Sequence, residues 1–281
     1  MARPPPRSLT RRPARFPVRL QLRRSLGGAL AALLLLPAGA PPAAGGSGTG
    51  RVAAVRDGAT LLLEDGREVR LAGIEAPRPP LPALGRPAQP FAEEARAALA
   101  GMVLGRTVAL SPGEARPDRH GRRPAHLHLL DAAGARTAWV QGELLRRGLA
   151  RVGAAPDEAA PAMLALERAA RAERRGLWGD AFYAVLKPWE TWRHRDSFQL
   201  VEGQVLRAAA VKGRIFLDFG PDWRSDFTVA VPREAVRPLR RAGLDPLRLE
   251  GRRLRVRGWL TLRNGPMIEA AHAGQIELLD P

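Results

Sequence analysis

The sequence predicts an α+β chain, mainly β with helices packed on it, folded as a five-stranded barrel followed by a second, smaller barrel. Three observations lead there. Short apolar or alternating runs recur between Asp-Gly and similar turn signals, the pattern of strands joined by tight turns. Helical periodicity occurs only between and after those runs. The chain of 281 residues is 45% hydrophobic and 26% charged, a balance that supports a buried core and excludes both a disordered polyelectrolyte and a polytopic membrane protein.

Taken in order, strands are expected at 51–55, 60–63 and 68–71, separated by Asp57-Gly58 and Asp65-Gly66. A Pro-rich loop, 77–90, leads into a helix. Pro90 suits a start position, Glu93 and Glu94 favour the first turn, and Phe91, Ala95, Leu99 and Met102 share a face. Strands at 107–110 and 125–130 follow, then a helix from about Ala138 to Arg147 closed by Gly148, and another from Pro161 to Arg175 closed by Gly176. Five short strands with helices between and after them are the pattern of an OB-type barrel, here over residues 50–180. Residues 181–197 form a linker whose aromatics, Trp189 and Trp192, predict that it is packed rather than free. Over 198–281 three strands near 198–205, 214–219 and 227–231, a helix at 233–242 and further strands near 254–262, 267–270 and 276–279 follow an order similar to OB-fold nucleic-acid binders.

Residues 1–44 stand apart. They hold eight arginines and no acidic residue, so that of a net charge of +17 the rest of the chain carries +9. The basic stretch precedes an apolar run, Leu26–Leu36, too short for the roughly 20 residues a membrane span needs but suited to a secretory signal. Ala38-Gly39-Ala40 offers a cleavage site, and Pro41 beside it leaves cleavage near Ala44, or an uncut anchor, open. The expectation is an exported, periplasmic or secreted monomer with no stable membrane domain unless the leader is retained. The absence of cysteine excludes disulfides, Cys-ligated metals and thiol catalysis. Serine has no nucleophile-elbow setting.

An ordered set of motifs narrows the reading: Asp57-Gly58-Ala59-Thr60-Leu61, the run Val69 to Pro77, Pro90-Phe91 ahead of a helix, Asp118-Arg119-His120-Gly121-Arg122, Gly148-Leu149-Ala150-Arg151 and Gly176-Leu177-Trp178. In order and spacing this resembles the staphylococcal nuclease (thermonuclease) domain. The resemblance implies phosphodiester hydrolysis, with two Asp and a Thr carbonyl on Ca2+, a Glu acting on the water and two Arg on the phosphate. The arginines land on Arg70 and Arg122, a type that stays charged and grips two phosphate oxygens at once. The first metal-binding Asp lands on Ala59, the second on Glu75, the Thr on Ala76 and the Glu on Arg78. A guanidinium accepts no proton and brings positive charge to a cation site. Asp57, near the vacant position, is the route to a surviving Ca2+ site with Glu75.

Two functions therefore stand. In one, Arg70, Arg78 and Arg122 bind the phosphates of nucleic acid, DNA or RNA, or of another polyanion, with Glu75 as counter-charge, no cofactor and no hydrolysis. In the other, Arg70, Glu75 and Arg122 are catalytic in a Ca2+-dependent endonuclease. A decayed site, with Arg78 loose in solvent, is the bland alternative. Elsewhere, His126 and His128 share a strand face and read as solvated rather than metal-binding; His120 reads as a packing residue. Arg168, Arg171, Arg174 and Arg175, interleaved with Glu167 and Glu173, read as a solvated helix face. Trp223-Arg224 and Arg263-Asn264-Gly265 fall in loops of the second barrel, where a basic and aromatic pair either stacks a base or caps the barrel.

Overall fold

A computed structural model describes residues 48–113, 122, 124–154 and 157–279. The leader-like segment 1–44 and residues Asp118 to Gly121, including His120, lie outside the described residues.

The first barrel opens with β1 (Gly48–Asp57), β2 (Thr60–Leu63) and β3 (Glu68–Leu71), an antiparallel meander, followed by the short β4 (Ile74–Glu75) and helix α1 (Ala92–Val103). Strands β5 (Thr107–Pro112), β6 (Pro124–Leu130) and β7 (Arg136–Trp139) come next, then α2 (Val140–Arg146), β8 (Arg151–Val152) and α3 (Ala160–Ala172). The sheet runs β3-β2-β1-β5-β6-β7, and a parallel pairing of β3 with β6 closes five of the strands into a barrel. Inward residues such as Val52, Leu61, Leu71, Leu110 and Leu127 meet Leu99 and Val103 of α1 and Leu144 and Leu145 of α2 in one core. Each such buried side chain contributes about 1.5–3 kcal/mol.

The expected helix start at Ala138 gives way to β7. Arg136, Thr137 and Ala138 are exposed and pair along the edge of β6, and the helix begins at Val140, which is fully buried. The third helix likewise stops at Ala172, short of Arg175. Its exit is fixed by two glycines at positive φ that touch: a Cβ on Gly176 would lie 2.3 Å from the carbonyl oxygen of Gly148, and one on Gly148 would lie 2.1 Å from that of Arg175.

Short 3-10 turns at Gly176–Gly179, Ala181–Tyr183 and Pro188–His194 carry the chain onward. This segment is packed, but not through the tryptophans that predicted it. Trp189 is 76% exposed and Trp192 49%, while Leu177, Trp178 and Tyr183 join Phe198 and Leu200 in a separate apolar cluster.

The second set of strands is β9 (Phe198–Gln204), β10 (Arg207–Val211), β11 (Arg214–Asp218) and β12 (Thr228–Val231), then α4 (Arg233–Arg241), β13 (Arg253–Trp259), β14 (Thr261–Leu262), β15 (Pro266–Glu269) and β16 (Ile276–Leu278). Two sheets, β10-β11-β12-β15-β14 and β16-β13-β9, enclose a core that includes Val201, Leu217, Val229, Val256 and Ile268, with Leu239 of α4 against it. The chain passes from one sheet to the other in the link between β9 and β10. Val205 exchanges backbone bonds with Gly251 and Arg252, while the N–H of Leu206 donates to Asp218. β12 and β15 pair in parallel, as β3 and β6 do. The Ala208-Ala209-Ala210 run hides β10 from the sequence, since Ala has little strand preference.

The two barrels belong to one compact unit and meet across a buried ionic cluster. Arg257 of β13 is 0% exposed; it donates to Glu167 of α3 at 2.9 Å and to Glu277 of β16, and Arg171 reaches both carboxylates. The α3 face expected to be solvated is in this stretch a contact face, with Glu167 also accepting from the N–H of Val152. No helix among the described residues is long and apolar enough to cross a membrane.

Candidate functional site

The site is assembled at the mouth of the first barrel by β1, β3, β4 and the Pro-rich loop. The loop is pinned at its base. Arg78 donates its N–H to Gln89 Oε1 at 2.9 Å, Gln89 returns its own N–H to the Arg78 carbonyl, and a bridge between Leu81 and Arg86 closes the tip. At the end of β1, Asp57 Oδ1 accepts from the N–H of Ala59 at 2.8 Å, a local turn that the short Asp side chain supports.

Asp57, Ala59, Arg70, Glu75, Arg78 and Arg122 line one cavity of about 310 Å³. Six residues drawn from four places in the chain thus come together. Glu75 lies at the centre, its side chain mostly buried. Arg70 Nη2 donates to Oε2 at 3.1 Å and Arg78 Nη2 to Oε1 at 3.2 Å, so each carboxylate oxygen holds an arginine. Arg122 pairs with Glu68 at the rim. Ala59 is 2% exposed and forms part of the floor.

Arg78 is not loose in solvent. Its guanidinium carbon stands 4.2 Å from the ring centroid of Trp259, a residue of the second barrel, and the cation–π contact adds to the ion pair with Glu75. Sequence reading missed Trp259 because nothing in strand periodicity marks which exposed aromatic faces a neighbouring domain. A second cavity of about 420 Å³ shares Glu75, Arg78 and Leu81 with the first and adds Arg86, Arg151, Arg195 and Trp259. Arg151 ends the Gly148-Leu149-Ala150-Arg151 motif. It is buried, lies 4.8 Å from the ring of Phe198, and donates to that residue's carbonyl at 3.1 Å. Burial pulls the Arg151 pKa down, and the charge of Glu75 is the largest force holding it up. The joined groove carries six arginines against three carboxylates, Asp57, Glu75 and Asp196.

The donor set bears on metal binding. Ca2+ takes six to eight oxygens and depends on anionic ligands. Here both oxygens of Glu75 are bonded to arginines and one of Asp57 is held by its own turn. No group of three or more His, Cys, Asp or Glu among the described residues could hold a metal ion. The residues present do not fit Ca2+.

The histidines also differ from expectation. His126 is not on a solvated face: Nδ1 accepts from Trp139 Nε1 at 3.3 Å and Nε2 stands 3.1 Å from Asp157 Oδ1, which uses both ring nitrogens. His128 is partly buried, and desolvation, with Arg136 and His126 nearby, lowers its pKa.

Comparison with known proteins gives the family to which the sequence is similar. Residues 68–180 match the family model described as Staphylococcal nuclease homologue. The chain is 34% identical to Protein ParB of Escherichia coli over 164 residues, which cover 55% of this chain and 84% of that protein. It is 33% identical over 151 residues to Probable endonuclease LCL3 of Coccidioides posadasii, covering 51% of this chain and 47% of the relative. It is 40% identical over 122 residues to Probable endonuclease lcl3 of Neosartorya fischeri, covering 40% of each. The chain thus spans less than half the length of those two fungal relatives.

Proposed function

The chain belongs to the family of staphylococcal nuclease homologues, and from that premise we propose that it binds nucleic-acid phosphates in the arginine groove without metal-assisted hydrolysis. One observation carries this reading. The carboxylate that would serve a metal is engaged on both oxygens by Arg70 and Arg78, in a groove with six arginines to three carboxylates. Glu75 acts as a counter-charge that keeps the two guanidinia in position when no ligand is bound. A phosphate displaces part of that pairing and takes Arg70 and Arg78, with Arg122 approaching from the rim. Trp259 holds Arg78 against the second barrel, so that its fork is oriented before the ligand arrives.

The composition of residues 1–44 supports an exported protein acting outside the cytoplasm, and the ligand on this reading is DNA, RNA or another polyanion, bound by a monomer. The names of the fungal relatives favour a second reading, endonuclease activity; in this chain it would run through Arg70, Glu75 and Arg122, with Ca2+ on Glu75 and Asp57. The donor set speaks against it.

A filter-binding titration of the protein with single- and double-stranded DNA and RNA tests the proposal. Arg70→Ala with Arg122→Ala is expected to lower affinity by at least about 100-fold, each lost charge-assisted bond costing about 1.5–3 kcal/mol. Binding to single strands is expected to fall with salt at a log–log slope of about −2, the value for some three neutralised phosphates. Affinity unchanged in the double variant defeats the proposal.

A further inference from the structure

The outer face of the second barrel carries a cavity of about 440 Å³, a size typical of small-ligand sites. Its floor is a row across neighbouring strands. Arg207 of β10 pairs with Asp218 of β11, and Asp218 with Thr228 of β12. Phe216, two residues before Asp218, points to the same face. Trp223, from the β11–β12 loop, and Arg263, from the β14–β15 loop, form the rim.

We propose that this cavity holds one unpaired nucleobase, with Trp223 and Phe216 against its faces, the Asp218 carboxylate on its hydrogen-bonding edge, and Arg207 and Arg263 on the flanking phosphates. The inference rests on the reading that the chain binds nucleic acid. Aromatic rings accept any base by stacking, whereas a carboxylate does not treat the bases alike. Guanine presents two adjacent N–H donors, N1 and N2, that match the two carboxylate oxygens. In adenine and cytosine a ring acceptor stands beside the amino group, and in thymine carbonyl oxygens flank the single donor. The pocket therefore prefers guanine.

Asp218 is 7% exposed, and a buried carboxylate is costly unless it receives hydrogen bonds. The side-chain bond it receives is a long one, from Thr228 Oγ1 to Oδ1 at 3.3 Å. Burial pushes its pKa up, against the opposing pull of the Thr228 hydrogen bond and the Arg207 charge. The rim is also preformed. Trp192 Nε1 donates to the Ser225 carbonyl at 3.1 Å, and Asp226 Oδ2 accepts from the N–H of Asp222 at 2.8 Å. Gly265, at φ +94°, sits so close to the Trp223 loop that a Cβ would fall 2.7 Å from the Asp226 carbonyl oxygen. Arg224 lies 4.7 Å from the Trp223 ring centroid and steadies the indole. Little ordering is left for a ligand to impose.

The test is fluorescence anisotropy with labelled dT10, dT10 bearing one central dG, and a duplex of equal length. The expected result is tighter binding of the dG strand than of dT10. Trp223→Ala should weaken single strands by roughly 5- to 100-fold and leave the duplex unchanged, while Trp223→Phe retains most of the affinity. Asp218→Asn should abolish the dG preference while single-strand binding persists. The inference is overturned if Trp223→Ala has no effect or weakens single and double strands alike, or if dG is not preferred. In those cases loss of binding in Arg70→Ala with Arg122→Ala leaves the arginine groove standing. No binding of any oligonucleotide by the unmodified protein defeats both readings.

Discussion

In each barrel a run of three antiparallel strands, β1–β3 in one and β10–β12 in the other, precedes a helix, and a later strand returns to pair in parallel with the last of the run, β6 with β3 and β15 with β12. They differ in what lies outside that frame. The first barrel places a long Pro-rich loop over its mouth and draws Glu75 into contact with two arginines there. The second leaves its outer sheet face open, with the buried carboxylate of Asp218 lining the same cavity as Phe216 and Trp223. Similar strand pairing thus supports a cleft dominated by charge in one place and one that joins aromatic and charged side chains in the other. What decides between them is loop length and the residue type at a few strand positions, and the shared architecture itself does not report chemistry.

The comparison breaks most visibly at the interface, where Arg257 joins the barrels. Arg257→Met takes from the buried Glu167 and Glu277 their closest partner and leaves them the longer contacts of Arg171, and a loss of about 3–5 kcal/mol is expected. Chemical denaturation followed by circular dichroism should show it, with Glu167→Leu added to Arg257→Met recovering part of the loss. Separate transitions for the two barrels in the single variant would show that this cluster couples their unfolding. Next in size is Gly176→Ala, which forces a side chain into the Gly148 carbonyl at a φ of +52° and is expected to cost roughly 1–3 kcal/mol in the same measurement.

A change confined to the first cleft sharpens the contrast. Glu75→Gln removes the counter-charge and should tighten nucleic-acid binding roughly three- to tenfold at low salt, about 0.6–1.4 kcal/mol of relieved repulsion. Weaker binding would assign Glu75 a role other than counter-charge.

The smallest effect concerns pH. His272 of the second barrel stands 2.6 Å from the Ala154 carbonyl of the first, and burial, with Arg257 adding to it, lowers its pKa below the ordinary 6.5. The unfolded chain takes up a proton near 6.5 that the folded chain does not. This contribution to stability is therefore complete above that pH and is lost as pH falls below it. Melting temperatures between about pH 7 and 5 should decline less in His272→Asn than in the unmodified protein.

Much of the frame was legible in the sequence. Alternation and Asp-Gly turns mark β1 to β3, and Glu93 and Glu94 mark the start of α1, because local chemistry alone sets them. β7 and β10 escaped for opposite reasons. Exposed β7 has almost no apolar signal, and β10 is built on alanines that only the neighbouring strand organises. The candidate residues Asp57, Arg70, Glu75, Arg78 and Arg122 follow from the resemblance to the thermonuclease domain that the ordered motifs carry, and they line one cavity. Trp259 above Arg78, and Arg257 against Glu167, were not. Each pairs residues about 90 or more positions apart, and the sequence of Glu167 and Arg171 is equally that of a solvated helix face.

The central claim, that the first cleft binds phosphates but does not hydrolyse them with calcium, is tested by incubating the purified protein with single-stranded DNA in Ca2+ and in chelator, beside an Ala59→Asp/Arg78→Glu variant. The account predicts binding of equal strength in both conditions and no cleavage by the unmodified protein, with any cleavage confined to the variant. Cleavage by the unmodified protein that requires Ca2+ and stops with chelator would contradict it.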